Sequence, residues 1–295
     1  MKKAICCFLG ALSLLQTGSA QSSQNPDGTS TDVSYEMPFE LRDGFLVVFE
    51  GRIGDLQKLK FVLDTGASHS VVDRRVARRL SLTHWPGRVF SFDKYIRAEW
   101  AEFPVVQFGA VEVHNIPLMV ADLGNSWGFP GHADAIIGLD LLRRCQGFSI
   151  DYHARKLLFR VASATGTSSA PLQTPAYLTT KILVQGQLTR LLVDTGMNGI
   201  LLYEDRLRKR VPNVVLEHEK DDVRLGYLHV KQAKLPGVVL NLSALEPIVS
   251  LIKGPSESPL SDVDGYLGTD ALNAQQVEFD FEANTLTWNE YAKSQ

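Results

Sequence analysis

Two stretches of this chain spell the same thing 130 residues apart. Phe61-Val62-Leu63-Asp64-Thr65-Gly66 and Leu191-Leu192-Val193-Asp194-Thr195-Gly196 align at that spacing (194 − 64). Val71-Val72 and Leu201-Leu202 keep it, and so do Pro117 and Pro247. So do Asp134-Ala135-Ile136-Ile137-Gly138-Leu139-Asp140 and Asp264-Gly265-Tyr266-Leu267-Gly268-Thr269-Asp270. The closing segments, Ile150-Asp151-Tyr152 to Phe159 and Phe279-Asp280-Phe281 to Trp288, correspond one residue closer. The matches fall on Asp, Gly and Pro in one order, which scattered chance identities do not do. A fixed long period marks a repeated structural unit. Two copies, 42–160 and 176–290, are therefore expected, joined by a small, polar linker at 161–175.

Within each copy the pattern is mostly strand. Gly44 to Gly51, Lys58 to Leu63, Val105 to Val113 and Ile116 to Val120 are rich in β-branched and aromatic residues. Leu157-Leu158-Phe159 closes a hairpin turning near His153-Ala154-Arg155. Helices are few: Asp73 is placed to cap Arg74 to Leu80, and Leu139 to Arg144 suits a short turn. Short strands, few helices and two copies predict an all-β protein of two packed, pseudo-symmetric lobes.

Composition narrows the class. Of 295 residues, 44% are hydrophobic and 21% charged, enough apolar surface for a core and too ordinary for a disordered chain. The net charge of −3 and the lack of a separate basic block predict no nucleic-acid partner. Lys2-Lys3, the apolar run Ala4 to Leu15 and the small residues ending at Ala20 read as a signal peptide over 1–20. The apolar run is too short to span a bilayer, so no stable membrane insertion is expected after its removal. Residues 21–41 read as a flexible N-terminal segment of an exported protein, periplasmic or secreted. Cys6 and Cys7 leave with the signal; Cys145 alone remains, expected to be buried and inert.

The repeated triplet has a definite chemistry. Each Asp follows an apolar run that should be a core strand and precedes a Gly that permits close backbone approach. If the lobes pack face to face, Asp64 and Asp194 meet. Two neighbouring carboxyls share one proton and titrate as a pair. Such a pair can hold a water, one member taking its proton while the other protonates a substrate carbonyl.

With Ala67-Ser68 after the first triplet, and Ile136-Ile137-Gly138 and Tyr266-Leu267-Gly268 each 74 residues beyond its Asp (138 − 64, 268 − 194), the chain resembles the retropepsin and pepsin group of aspartic peptidases. Ala67, the small lobes and the export signal are most similar to bacterial, exported retropepsin-like proteins of two lobes. The resemblance implies an aspartic endopeptidase whose catalytic pair is Asp64 and Asp194. It implies that Thr65-Gly66 and Thr195-Gly196 form the supporting loops, the threonines bonding across the pseudo-dyad, and that Gly138 and Gly268 support those loops from beneath. It further implies a protein or peptide substrate, no cofactor or metal, and a monomer, since both halves lie in one chain. Flaps are expected at Val89 to Trp100 and Arg224 to His229. The second copy departs at Met197-Asn198, where the first has Ala67-Ser68. That departure motivates the alternative of an inactive peptide-binding module. Neither Ala67 nor Met197 offers a hydroxyl to an ionised carboxylate, so the expected pH optimum is mildly acidic.

Overall fold

The apolar runs before the two aspartates are interior strands: Phe61, Val62 and Leu63 are fully buried, and so are Leu191, Leu192 and Val193. A continuous apolar run suits a strand covered on both faces, the usual setting of parallel pairing. Phe61 to Leu63 indeed pair in parallel with Ala135 to Ile137, and Leu191 to Asp194 with Gly265 to Gly268. The computed structural model describes residues 35–91, 94–126, 133–159, 168–171, 177–225, 228–240, 243–245, 247–255 and 260–290. The expected signal peptide at 1–20 lies outside the described residues. These residues fall in one compact unit that begins at Asp32.

Lobe one contains β1 (Tyr35–Arg42), β2 (Leu46–Ile53), β3 (Leu56–Leu63), β4 (Val71–Asp73), β5 (His84–Ser91), β6 (Lys94–Phe108), β7 (Val111–Ala121), β8 (Ala135–Ile137), β9 (Gly147–Asp151) and β10 (Lys156–Phe159). Its helices are α1 (Arg74–Arg79), α2 (Leu123–Ser126) and α3 (Leu139–Leu142). Lobe two contains β11 (Ser168–Pro171), β12 (Thr179–Val184), β13 (Gln187–Asp194), β14 (Ile200–Tyr203), α4 (Glu204–Arg210), β15 (Glu217–Leu225) and β16 (Leu228–Lys234). It continues with β17 (Val238–Leu240), β18 (Ser243–Leu245), β19 (Ile248–Ile252), β20 (Gly265–Gly268), β21 (Ala274–Asp280) and β22 (Thr285–Glu290). The fold is all-β, with two lobes of the retropepsin-like kind.

The lobes repeat one topology. In lobe one β8 lies between β3 and β4, and β4 pairs in parallel with β7. In lobe two β20 lies between β13 and β14, and β14 pairs in parallel with β19. Asp134 and Asp264 hold matching places in this frame. Each carboxylate accepts the backbone N–H of the preceding interior strand, Lys60 or Arg190, at 2.8 Å. They are strand clamps at the entry to β8 and β20.

A shared sheet joins the lobes in the order β11-β22-β21-β9-β10-β1. Applying the repeat turns this order end for end. The pair Glu278–Ser149 sits at its centre, flanked by Phe279–Phe148 on one side and Val277–Ile150 on the other. Phe148 and Phe279 stack with centroids 4.7 Å apart, a contact worth roughly 0.5–1.5 kcal/mol beyond the area it buries. β1 links this sheet to the body of lobe one. Tyr35 to Pro38 pair with β10, and Phe39 to Arg42 pair with β2.

Three local readings of the sequence change. Residues 35–41 are not a flexible lead-in, because β1 begins at Tyr35. Residues 168–171, inside the expected linker, are the strand β11 bonded to β22. The expected strand Val105 to Val113 is two strands, since the chain turns at Gly109, whose φ of +54° suits glycine. The capped helix at Asp73 and the short turn at Leu139 are present. Cys145 is buried.

Candidate active site

β3 and β13 deliver Asp64 and Asp194 to the same point. Both are buried, at 8% and 5% exposure, and their carboxyl groups are in hydrogen-bonding contact. The close approach leaves no room beside the glycines. A Cβ on Gly66 would overlap the Asp194 carboxyl, and one on Gly196 would lie 2.9 Å from Cγ of Asp64.

The threonines lock the two loops reciprocally. Thr65 Oγ1 donates to Val193 O at 2.8 Å and accepts from Thr195 N at 3.1 Å. Thr195 Oγ1 donates to Leu63 O at 2.9 Å and accepts from Thr65 N at 3.0 Å. All four bonds are buried, where each is costly to lose. They fix the relative position of the strands that carry the carboxyls.

Beneath the loops the two lobes differ. In lobe one Ser70 bridges: its hydroxyl donates to Asp140 at 2.6 Å and accepts from Gly138 N at 2.9 Å. Leu139 N also donates to Ala67 O. In lobe two Gly268 N donates directly to Gly199 O at 2.7 Å, and Gly199 N donates to Asp270. Gly138 and Gly268 thus each receive a loop, through a hydroxyl in one case and backbone alone in the other. Asp140 and Asp270 anchor those loops. The sequence marked them only as paired acids; their fixed spacing from each Asp-Thr-Gly was the available signal. Ser70 gave none, because its repeat position is Ile200.

Burial raises the carboxyl pKa of both aspartates. Asp194 is pushed well above the ordinary value, because the Asp64 charge adds to burial. Asp64 is raised less, as the backbone N–H groups of Ala67 and Gly66 stabilise its ionised form; Ala67 N donates to Oδ1 at 2.9 Å. Asp194 accepts instead from Gly196 N, one residue nearer in its loop, at 2.8 Å. With both carboxyls raised by burial, the pair holds a proton more readily than two separate aspartates would.

The β5–β6 hairpin covers part of the expected first flap; Phe92 and Asp93, between its strands in sequence, lie outside the described residues. Val89 packs on the apolar cluster of lobe one and Phe90 on that of lobe two. The expected second flap falls on the β15–β16 hairpin; Gly226 and Tyr227, between its strands in sequence, also lie outside them. His69, near the first loop, is exposed with its ring edge-on to Trp100 at 5.5 Å. Among the described residues no cluster of three or more His, Cys, Asp or Glu is placed to hold a metal. Among them no helix is long and apolar enough to cross a membrane.

Residues 49–141, from β2 through most of α3, match the family model described as aspartyl protease. This segment is similar to the aspartyl protease family. The matched segment contains Asp64, Ser70, the first hairpin and Gly138. Asp194 lies beyond the match and joins the comparison through the internal repeat. No curated protein matches the chain.

Proposed function

We propose that this protein is an aspartic endopeptidase, with Asp64 and Asp194 as its catalytic pair. The observation that carries the reading is the reciprocal Thr65–Thr195 lock holding two buried carboxyls in contact. A water held between them would give a proton to Asp64 as its oxygen bonds to the scissile carbonyl carbon. Asp194 would give its proton to the carbonyl oxygen. On collapse, the C–N bond breaks, the proton on Asp64 goes to the leaving nitrogen, and the hydroxyl proton returns to Asp194. Each carboxyl ends as it began. The pair needs one proton, so the rate should be bell-shaped in pH. The raised pKa directions support an optimum in mildly acidic solution. The substrate would be an extended peptide lying under the β5–β6 hairpin. One chain supplies both halves, which supports action as a monomer, and residues 1–20 support export.

Incubation with a mixed peptide library, read by mass spectrometry, tests the reading. Internal cleavage blocked by a pepstatin-like transition-state mimic is expected. Tight peptide binding without products would instead favour the binding-module alternative, for which Met197 beside Asp194 is the motivating feature.

A further inference from the structure

The two sides of the site are lined by side chains of different bulk. Each Asp is followed three residues later by a side chain that joins an apolar cluster on its own lobe. In lobe one this is Ala67, half-buried against Leu46, Val48, Val71, Met119 and Ile136, a cluster that also contains Ala98, Ala121 and Ala133. In lobe two it is Met197, 5% exposed, in a cluster with Leu192, Leu201, Tyr203, Leu260 and Tyr266 and no alanine. The cover differs too. The lobe-two cluster is overlaid by Phe90 from the first hairpin, Val223 from the second and Tyr177. Tyr177 also lies within reach of Ser68 on the opposite loop. Val89 and Trp100 of the first hairpin lie on the lobe-one cluster. Successive strand residues point to opposite faces, so Val89 and Phe90 reach opposite lobes from one hairpin.

The same alternation governs an extended peptide. The residues on either side of its scissile bond point in opposite directions. With the bond above the two carboxyls, one side chain faces the Ala67 wall and the other the Met197 wall. Resting on the endopeptidase reading above, we propose that Met197 is a specificity-determining residue that makes the enzyme side-selective. The substrates are peptides with a large apolar residue on the lobe-one side of the scissile bond and Gly, Ala or Ser on the lobe-two side. Met197 is the larger side chain at the repeat position where lobe one has Ala67.

Position-resolved cleavage profiles of the full chain and two variants test this. The parent should show a size limit on one side of the bond only. Met197→Ala should raise kcat/KM at least about tenfold for a peptide with Leu in place of Ala on that side, within the range a few methylenes confer. The other side should be unchanged. Ala67→Met should impose a matching limit on the opposite side, and it carries the test if Met197→Ala does not fold. Relaxation of both sides together, or an unchanged profile in a folded variant, overturns the inference and leaves the endopeptidase reading intact. A parent that cleaves no peptide in the library overturns that reading, and this inference with it.

Discussion

In lobe one the strand after the Asp-Thr-Gly loop ends on a buried carboxylate, Asp73; in lobe two the same repeat position is Tyr203. Asp73 caps α1 through Arg75 N at 2.8 Å, accepts from Arg75 Nε, and takes the N–H of Leu123 at 3.1 Å. Tyr203 gives α4 no side-chain cap and instead pairs its hydroxyl with Tyr266 at 3.2 Å inside an apolar cluster. Lobe one thus fixes the ground around its loop with charged bonds and a serine bridge. Lobe two does so with apolar bulk, a direct backbone bond and the Asp270 carboxylate, without a serine bridge. The four threonine bonds are nevertheless the same on both sides. The comparison teaches that the symmetry is held at the threonine lock between the two carboxyl loops and relaxed where each lobe supports itself.

The sharpest way to break that view is through the carboxyls. Asp64→Asn and Asp194→Asn should each lower kcat/KM about a thousand-fold or more, measured on one cleaved peptide. If one variant kept most of the activity, the lobes would not share the chemistry. The same variants carry a second signature. Both carboxyls have raised pKa in the folded state, so the folded protein binds protons more tightly than the unfolded chain. Stability from this source is present below about pH 4, the unfolded value, and is lost as pH rises through the folded values. Asp194→Asn should therefore raise the denaturant midpoint at neutral pH, with the advantage vanishing near pH 4. An equal advantage at both pH values would contradict the linkage.

The next effect is smaller and should be symmetric. Thr65→Ala and Thr195→Ala each leave buried partners without a hydroxyl and should cost about 2 kcal/mol each in urea unfolding. Thr→Ser at either site should recover much of it. A large difference between the two alanine variants would mean that one loop leans on the other.

Where each lobe supports itself, asymmetry is expected. Asp73→Ala removes a helix cap and a bond to α2, and should cost about 1–2 kcal/mol. Tyr203→Phe removes one hydroxyl from a pair and should cost about 1 kcal/mol or less. Equal losses in thermal or urea unfolding would erase the distinction drawn here.

The repeat made much of this legible in the sequence. Asp64 and Asp194 stand where parallel interior strands end, and those strands were visible as continuous apolar runs. The α1 cap was visible because Asp73 precedes a helical spacing of Val76 and Ala77. What stayed hidden depends on distant partners. β1 contains Pro38 and only a short apolar alternation, and its first half, Tyr35 to Pro38, becomes strand through pairing with β10, more than a hundred residues away in the chain. β11 reads Ser-Ser-Ala-Pro and owes its strand geometry to β22. In the same way, Ser70 is an ordinary loop serine until Gly138 and Asp140 arrive beneath it.

The centre of the shared sheet carries a consequence for how the halves tell themselves apart. Because the repeat maps β9 onto β21, either strand could in principle meet its own kind in the register that β9 and β21 use. Two β21 strands would then set Glu278 against Glu278, two buried carboxyls face to face, which is unfavourable. Two β9 strands would set Ser149 against Ser149 at no such cost. Only the mixed pair places the acid opposite a hydroxyl. One residue at the symmetry axis therefore lets the second half reject a copy of itself while accepting the first. The covalent connection between them raises the local concentration of the partner it accepts.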